Sequence, residues 1–171
     1  AVVPLFLKEL GSPNVIATSS AGLFSIIIAM PMLFTAALTR NVTNMKKMVI
    51  IAHCTILVVT FILGYIFAFS GMGKSIIAWK IYFSLFIIYS LSIGIIVPIW
   101  ADFLEKTTKR SLRGKFFGVG FAFNSLGAFG GGIVLKFLLE SNTPFPKNFG
   151  YGFIILFLCL SIGTFFFSFY K

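Results

Sequence analysis

The sequence predicts an all-α, polytopic transmembrane helix bundle, and three observations carry that prediction. Of its 171 residues, 58% are hydrophobic and 11% are charged, against roughly 25% charged in a soluble domain, so water alone would not solvate its surface. The apolar residues gather into runs of about 20 or more, the length that crosses the roughly 30 Å of a bilayer core as helix. The net charge of +10 sits mostly in the short gaps between those runs, where loops of membrane proteins concentrate lysine and arginine. The lipid bilayer is therefore the first partner. Nucleic acid is not expected, because no basic face remains once the gaps are set aside.

Residues 1–10 hold the segment AVVPLFL, about 10 Å of helix and too short to span. No charged n-region or cleavage site marks it as a signal peptide, and it reads as the outer end of a first helix whose beginning is missing. The turn Leu10-Gly11-Ser12-Pro13 leads into a span at 15–38, interrupted by Pro31, whose missing N–H predicts a kink. After the polar gap 39–47 comes a span at 48–70, closed by Gly71-Met72-Gly73-Lys74, a turn that glycine makes sterically easy. The span at 75–101 carries Trp79 and Tyr82 near one end and Pro98 and Trp100 near the other, with the aromatic rings placed as interfacial belts. A charged loop at 102–115 precedes the span at 116–139. Pro144 and Pro146 then break the helix, and the last run covers 149–170. Residues 1–171 thus form one transmembrane domain of five complete spans and the end of another.

Alternation of the spans sorts the basic residues onto two sides. One side collects nine (Arg40, Lys46, Lys47, Lys106, Lys109, Arg110, Arg113, Lys115 and Lys171) and the other five (Lys8, Lys74, Lys80, Lys136 and Lys147). The richer side is expected in the cytoplasm, which places loops 39–47 and 102–115 there.

No layout of an enzyme site is present. The one histidine, His53, has no carboxylate near it in sequence, and no paired acids sit at mid-membrane depth for proton transfer. Cys54 and Cys159 lie inside apolar runs and read as small packed residues rather than as a disulfide or metal site. No cofactor or metal is expected. Gly120, Asn124, Gly127 and Gly131 follow at steps of four, three and four, so they share a helix face that admits close approach of a second helix, or sliding against it. Polar groups at mid-depth mark helix contacts or pathways; the candidates for lining a solute cavity are Asn124, Tyr89, Ser92, Ser125 and Ser25. Asp102, at the inner end of its span, is expected to pair with Arg113 or Arg40.

Six helices with a basic gap after the second and a larger one after the fourth resemble the amino-terminal half of a major facilitator superfamily transporter, of bacterial type. The similarity covers nearly the whole chain. Its most specific part is Pro98, Trp100 and Asp102 followed by Arg113-Gly114-Lys115-Phe116-Phe117-Gly118. Arg40 matches the basic residue of the superfamily's loop after the second helix, while Thr35 and Lys46-Lys47 depart from that loop's pattern. Gly118, Gly127 and Gly131 match a glycine pattern of antiporters in the fifth helix, with Gly132, Leu135 and Lys136 at the pattern's other positions.

The resemblance implies a six-helix bundle in the cytoplasmic membrane that supplies one wall of a midplane cavity. A second six-helix half of the same polypeptide would supply the other. It implies secondary active transport of a small solute by alternating access, with Pro31, Pro98 and the fifth-helix glycines in packing or gating. Arg40, Asp102, Arg113 and Lys115 would form a cytoplasmic charge network. The alternative from a different class is a non-transporting helix-bundle subunit or scaffold. The identity of the solute does not follow from a wall of a few hydroxyls and one amide.

Overall fold

In hydrocarbon no water meets an unpaired N–H or C=O, so each apolar run must close its hydrogen bonds within itself. In a computed structural model of the chain, which describes residues 2–39 and 44–169, the runs do so as α-helices. These are α1 (Val2–Glu9), α2 (Asn14–Thr39), α3 (Met45–Phe69), α4 (Ile76–Thr107), α5 (Arg113–Glu140) and α6 (Lys147–Ser168), with a 3-10 turn at Arg110–Leu112 ahead of α5. No strand occurs among the described residues. Five helices, α2 to α6, are long and apolar enough to cross a membrane, which makes the chain an all-α, multi-pass membrane protein. The eight residues of α1 reach only about 12 Å.

Three helices extend past their apolar runs into charged sequence. α4 continues beyond Ala101 through Asp102, Glu105 and Lys106; α3 takes in Lys46 and Lys47, and α5 takes in Arg113 and Lys115. The loop expected at 102–115 therefore shrinks to Thr108, Lys109 and the 3-10 turn. The end of the apolar run marks where lipid stops, not where the helix stops, since glutamate and lysine are good helix formers. Phe103 and Leu104 stay buried in that last stretch of α4. Of the gap expected at 39–47, Thr39 closes α2 and Asn44 caps α3 by accepting from the Lys47 N–H at 3.1 Å. Arg40 lies outside the described residues.

At the opposite end of the bundle, which carries the turns after α1, α3 and α5, the chain reverses tightly. Gly11 sits at φ +87°, with its N–H bonded to the Lys8 carbonyl and the Ser12 N–H to the Leu7 carbonyl, each at 3.0 Å. This is a Schellman closure of α1, which needs the left-handed residue that glycine supplies. Gly71 also takes the left-handed backbone after α3 (φ +69°), and Ser75 caps α4 through the Ala78 N–H at 3.0 Å.

The helix contacts form a row in the order α2, α4, α3, α6, α5, with α1 set against α2 and α4. Its middle is tight. A β-carbon at Gly94 on α4 would collide with the Ile28 carbonyl and the Pro31 ring of α2; one at Gly150 on α6 would strike the Phe67–Ala68 backbone of α3; one at Gly64 on α3 would meet Ile154 of α6. Without a hydrophobic difference between lipid and side chain, such close backbone approach and its dispersion contacts hold membrane helices together.

Two buried clusters sit at opposite ends of the helices. At the turn end Phe6, fully buried, has ring centroids 4.6 Å from Phe149, 4.7 Å from Tyr82 and 5.0 Å from Phe67. It pins the short α1 to α3, α4 and α6 with edge and stacked geometries that add about 0.5–1.5 kcal/mol per pair. Tyr82, expected as an interfacial ring, is instead 2% exposed, because its position on α4 turns it toward Phe6 and away from lipid. At the basic end Val49, Ala52, Ile99, Phe103 and Leu104 pack together, and Phe167 of α6 lies 5.1 Å from Phe103 and 5.5 Å from Trp100. None of the residues of α5 is buried, and its part in the turn-end cluster is the partly buried Leu139 packed against it.

Candidate functional site

Helical spacing alone brings one set of side chains to a common face. On α4, Tyr82, Phe86 and Tyr89 recur at steps of four and three; on α2, Ser20 and Phe24 are four apart; Thr60 and Leu63 on α3 and Phe153 and Leu156 on α6 are three apart. Each set projects from one stripe of its helix. Together with Ala21 and with Val2, Val3 and Pro4 of α1 they line a cavity of about 390 Å³, within the size range of small-molecule sites.

The polar character of this cavity comes from hydroxyls only. Among the described residues no acidic, basic or histidine side chain lines it. Ser20 Oγ donates to the Ala17 carbonyl at 2.7 Å and Thr60 Oγ1 to the Ile56 carbonyl at 2.9 Å, so both have committed their protons to their own helices. The Tyr82 and Tyr89 hydroxyls bond no group among the described residues. Tyr89 is half-buried near the middle of α4. The cavity thus offers two phenolic donors and two hydroxyl acceptors in an aromatic wall.

Of the five residues expected to line a solute cavity, Tyr89 is the one on the wall of this hollow. Ser92 is buried in α4 and donates to the Ile88 carbonyl at 2.8 Å. Ser25 is exposed, its hydroxyl 3.4 Å from the Ala21 carbonyl. Asn124 and Ser125 lie exposed on α5, where Ser125 donates to the Phe121 carbonyl at 3.0 Å. Four of the five are thus not brought together with Tyr89. The reading by polarity missed Tyr82, Phe86, Phe24, Ser20 and Thr60. The aromatic stripe Tyr82-Phe86-Tyr89 was the available signal.

Gly118, Gly120, Gly127 and Gly131 also stand apart: a β-carbon at any of them would have nothing within 4 Å. α5 makes its helix contacts with α6 and the 3-10 turn. Pro31 and Pro98, by contrast, are inside the α2 and α4 helices, with the Pro31 ring against Gly94.

At the basic end Arg113 pairs with Glu105 and not with Asp102, while the expected alternative of Asp102 with Arg40 falls on a residue outside the described ones. Arg113 Nη1 lies 3.3 Å from Glu105 Oε1, with Nη2 2.8 Å from the Glu105 carbonyl. The short link folds Arg113 back onto the last turns of α4, which puts Glu105 within reach. Asp102, one turn deeper and half-buried, has Oδ2 3.2 Å from Thr39 Oγ1, whose single proton it shares with the nearer Thr35 carbonyl at 2.9 Å, a weak tie of the end of α2 to α4. Lys115 is exposed on α5. Between α3, α4 and α6 a second hollow of about 200 Å³ is lined by His53, Trp100, Cys159, Leu160, Gly163, Thr164 and Phe167. There His53 Nδ1 lies 2.7 Å from the Val49 carbonyl; a carbonyl only accepts, so Nδ1 carries the proton in that bond. No protein-family model, curated protein or solved structure matches this chain.

Proposed function

We propose that this chain is half of a secondary active transporter of the cytoplasmic membrane, moving a small solute by alternating access. The observation that carries the reading is the half-open cavity of about 390 Å³ among membrane-spanning helices, fitted with unpaired phenol donors. A bundle serving only as a scaffold has no use for such a space. The similarity of the Pro98 to Gly118 stretch to major facilitator transporters supports the same reading, and charge asymmetry puts the end bearing Arg113 in the cytoplasm. A second six-helix half would cover α2 and α5, the least buried of the long helices.

A labelling experiment tests this without knowledge of the solute. In a background with Cys54 and Cys159 replaced by serine, a cysteine at Leu63 is expected to react with membrane-impermeant maleimide from either side of the membrane, in proportions that shift when a transported solute is added. Labelling from one side only, under every condition, would exclude alternating access. It would favour the second reading, a non-transporting helix-bundle subunit, which the unburied length of α5 otherwise supports.

A further inference from the structure

We infer that the ligand of the cavity beneath α1 is an uncharged, largely aromatic molecule bearing a hydrogen-bond acceptor, a ketone or ether oxygen, which accepts from the Tyr89 hydroxyl. The inference deepens the transport reading and rests on it only in taking the cavity for a solute site.

Charge decides the first part. Phe24, Phe86, Phe153 and Leu63 make up much of the wall, and no ionised side chain among the described residues reaches it. An anion or cation entering would lose its hydration with no counter-charge to replace it, a cost that the aromatic wall does not offset for an anion. A cation fares little better, since the ring faces supply only a weak partner. Polarity decides the second part. Ser20 and Thr60 have given their protons to backbone carbonyls, which leaves them acceptors. The phenols of Tyr82 and Tyr89 are therefore the donors the cavity has to spare. Tyr82 is 2% exposed and wedged against Phe6, whereas Tyr89 is only partly covered, so its hydroxyl is the one a ligand reaches. A ligand that carries an acceptor satisfies that donor; a hydrocarbon of the same shape leaves it unpaired.

Three probes of one size separate these terms: acetylnaphthalene, with a carbonyl acceptor; isopropenylnaphthalene, of the same shape without one; and naphthoate, charged. Binding to the full-length protein in detergent is measured by equilibrium dialysis against protein-free micelles. Acetylnaphthalene is expected to bind about fivefold more tightly than isopropenylnaphthalene and at least about tenfold more tightly than naphthoate. Tyr89→Phe should remove the acetyl advantage and leave isopropenylnaphthalene unchanged, and Leu63→Trp, which fills the cavity, should abolish binding of both. Both variants are checked for an unchanged melting temperature; should Leu63→Trp fail to fold, Phe24→Trp takes its place. Naphthoate binding as well as the ketone, an acetyl advantage that survives Tyr89→Phe, or no saturable binding of any probe overturns the inference. The assay needs no gradient, so a protein that binds as described yet labels from one side only sinks the transport reading and leaves the ligand class standing.

Discussion

Glycine occurs in both the packed and the open parts of this molecule, with different neighbours. At Gly64, Gly94 and Gly150 a side chain would run into another helix, at the last two into its backbone; at Gly118, Gly120, Gly127 and Gly131 of α5 it would meet open space. The isolated glycines therefore set the spacing of α2 on α4 and of α6 on α3, while the dense, evenly stepped stripe sets no spacing within this chain. A small-residue stripe is permission for close approach. Contact also needs a partner at that height, and α6 meets α5 on one side only.

The contrast can be tested by perturbing both regions in parallel. The largest effect is expected at the aromatic hub: Phe6→Ala should destabilise by about 3–5 kcal/mol, read as a fall in melting temperature and in folded yield, whereas Phe129→Ala on α5, whose ring is 71% exposed, should change stability by less than about 0.5 kcal/mol. Next, Gly150→Val and Gly94→Val should each cost about 3 kcal/mol, because the atoms they strike are backbone and cannot rotate away. Gly127→Ala should be neutral or gain up to about 1 kcal/mol from helix propensity. If Gly127→Ala or Gly131→Leu lost as much folded protein as Gly150→Val, the α5 stripe would be a covered interface and the contrast would fail.

Smaller effects distinguish the two polar ties at the basic end. Thr39→Val removes a hydroxyl whose proton is divided between the Thr35 carbonyl at 2.9 Å and half-buried Asp102 at 3.2 Å and is expected to cost about 1 kcal/mol, with Thr39→Ser restoring most of it; equal melting temperatures for the valine and serine variants would show that the bond contributes nothing. Glu105→Gln, which breaks a pair with Arg113 whose glutamate is 69% exposed, should cost under about 1 kcal/mol. A larger loss there would mean that the α4 to α5 link is held by charge and not by its backbone.

Much of the architecture was legible before any coordinates. Hydropathy places all five long helices, with ends displaced where charged residues prolong α3, α4 and α5. Those displacements arise because apolar runs report the bilayer, and helices outlast it. The candidate site was much less legible. Ser25, Ser92, Asn124 and Ser125 drew attention for being polar at depth, yet Ser25, Ser92 and Ser125 turn their hydroxyls onto their own helices, a local solution open to any helical serine. Tyr82 was legible as an aromatic near a helix end but not as a buried one, since only the arrival of Phe6 from α1 makes that position interior.

By itself, the sequence determined that the chain is helical, that it belongs in a bilayer, and how many helices are long enough to cross it, because these follow from local hydrogen bonding and from the solvent that the composition requires. Tertiary structure alone decided which faces meet. It put Tyr89 on a cavity and Asn124 outside it, matched Asp102 with Thr39 and Arg113 with Glu105, and left the glycines of α5 open. Lipid and protein interior are equally apolar, so in a membrane helix the side facing a neighbour carries no hydrophobic mark of its own.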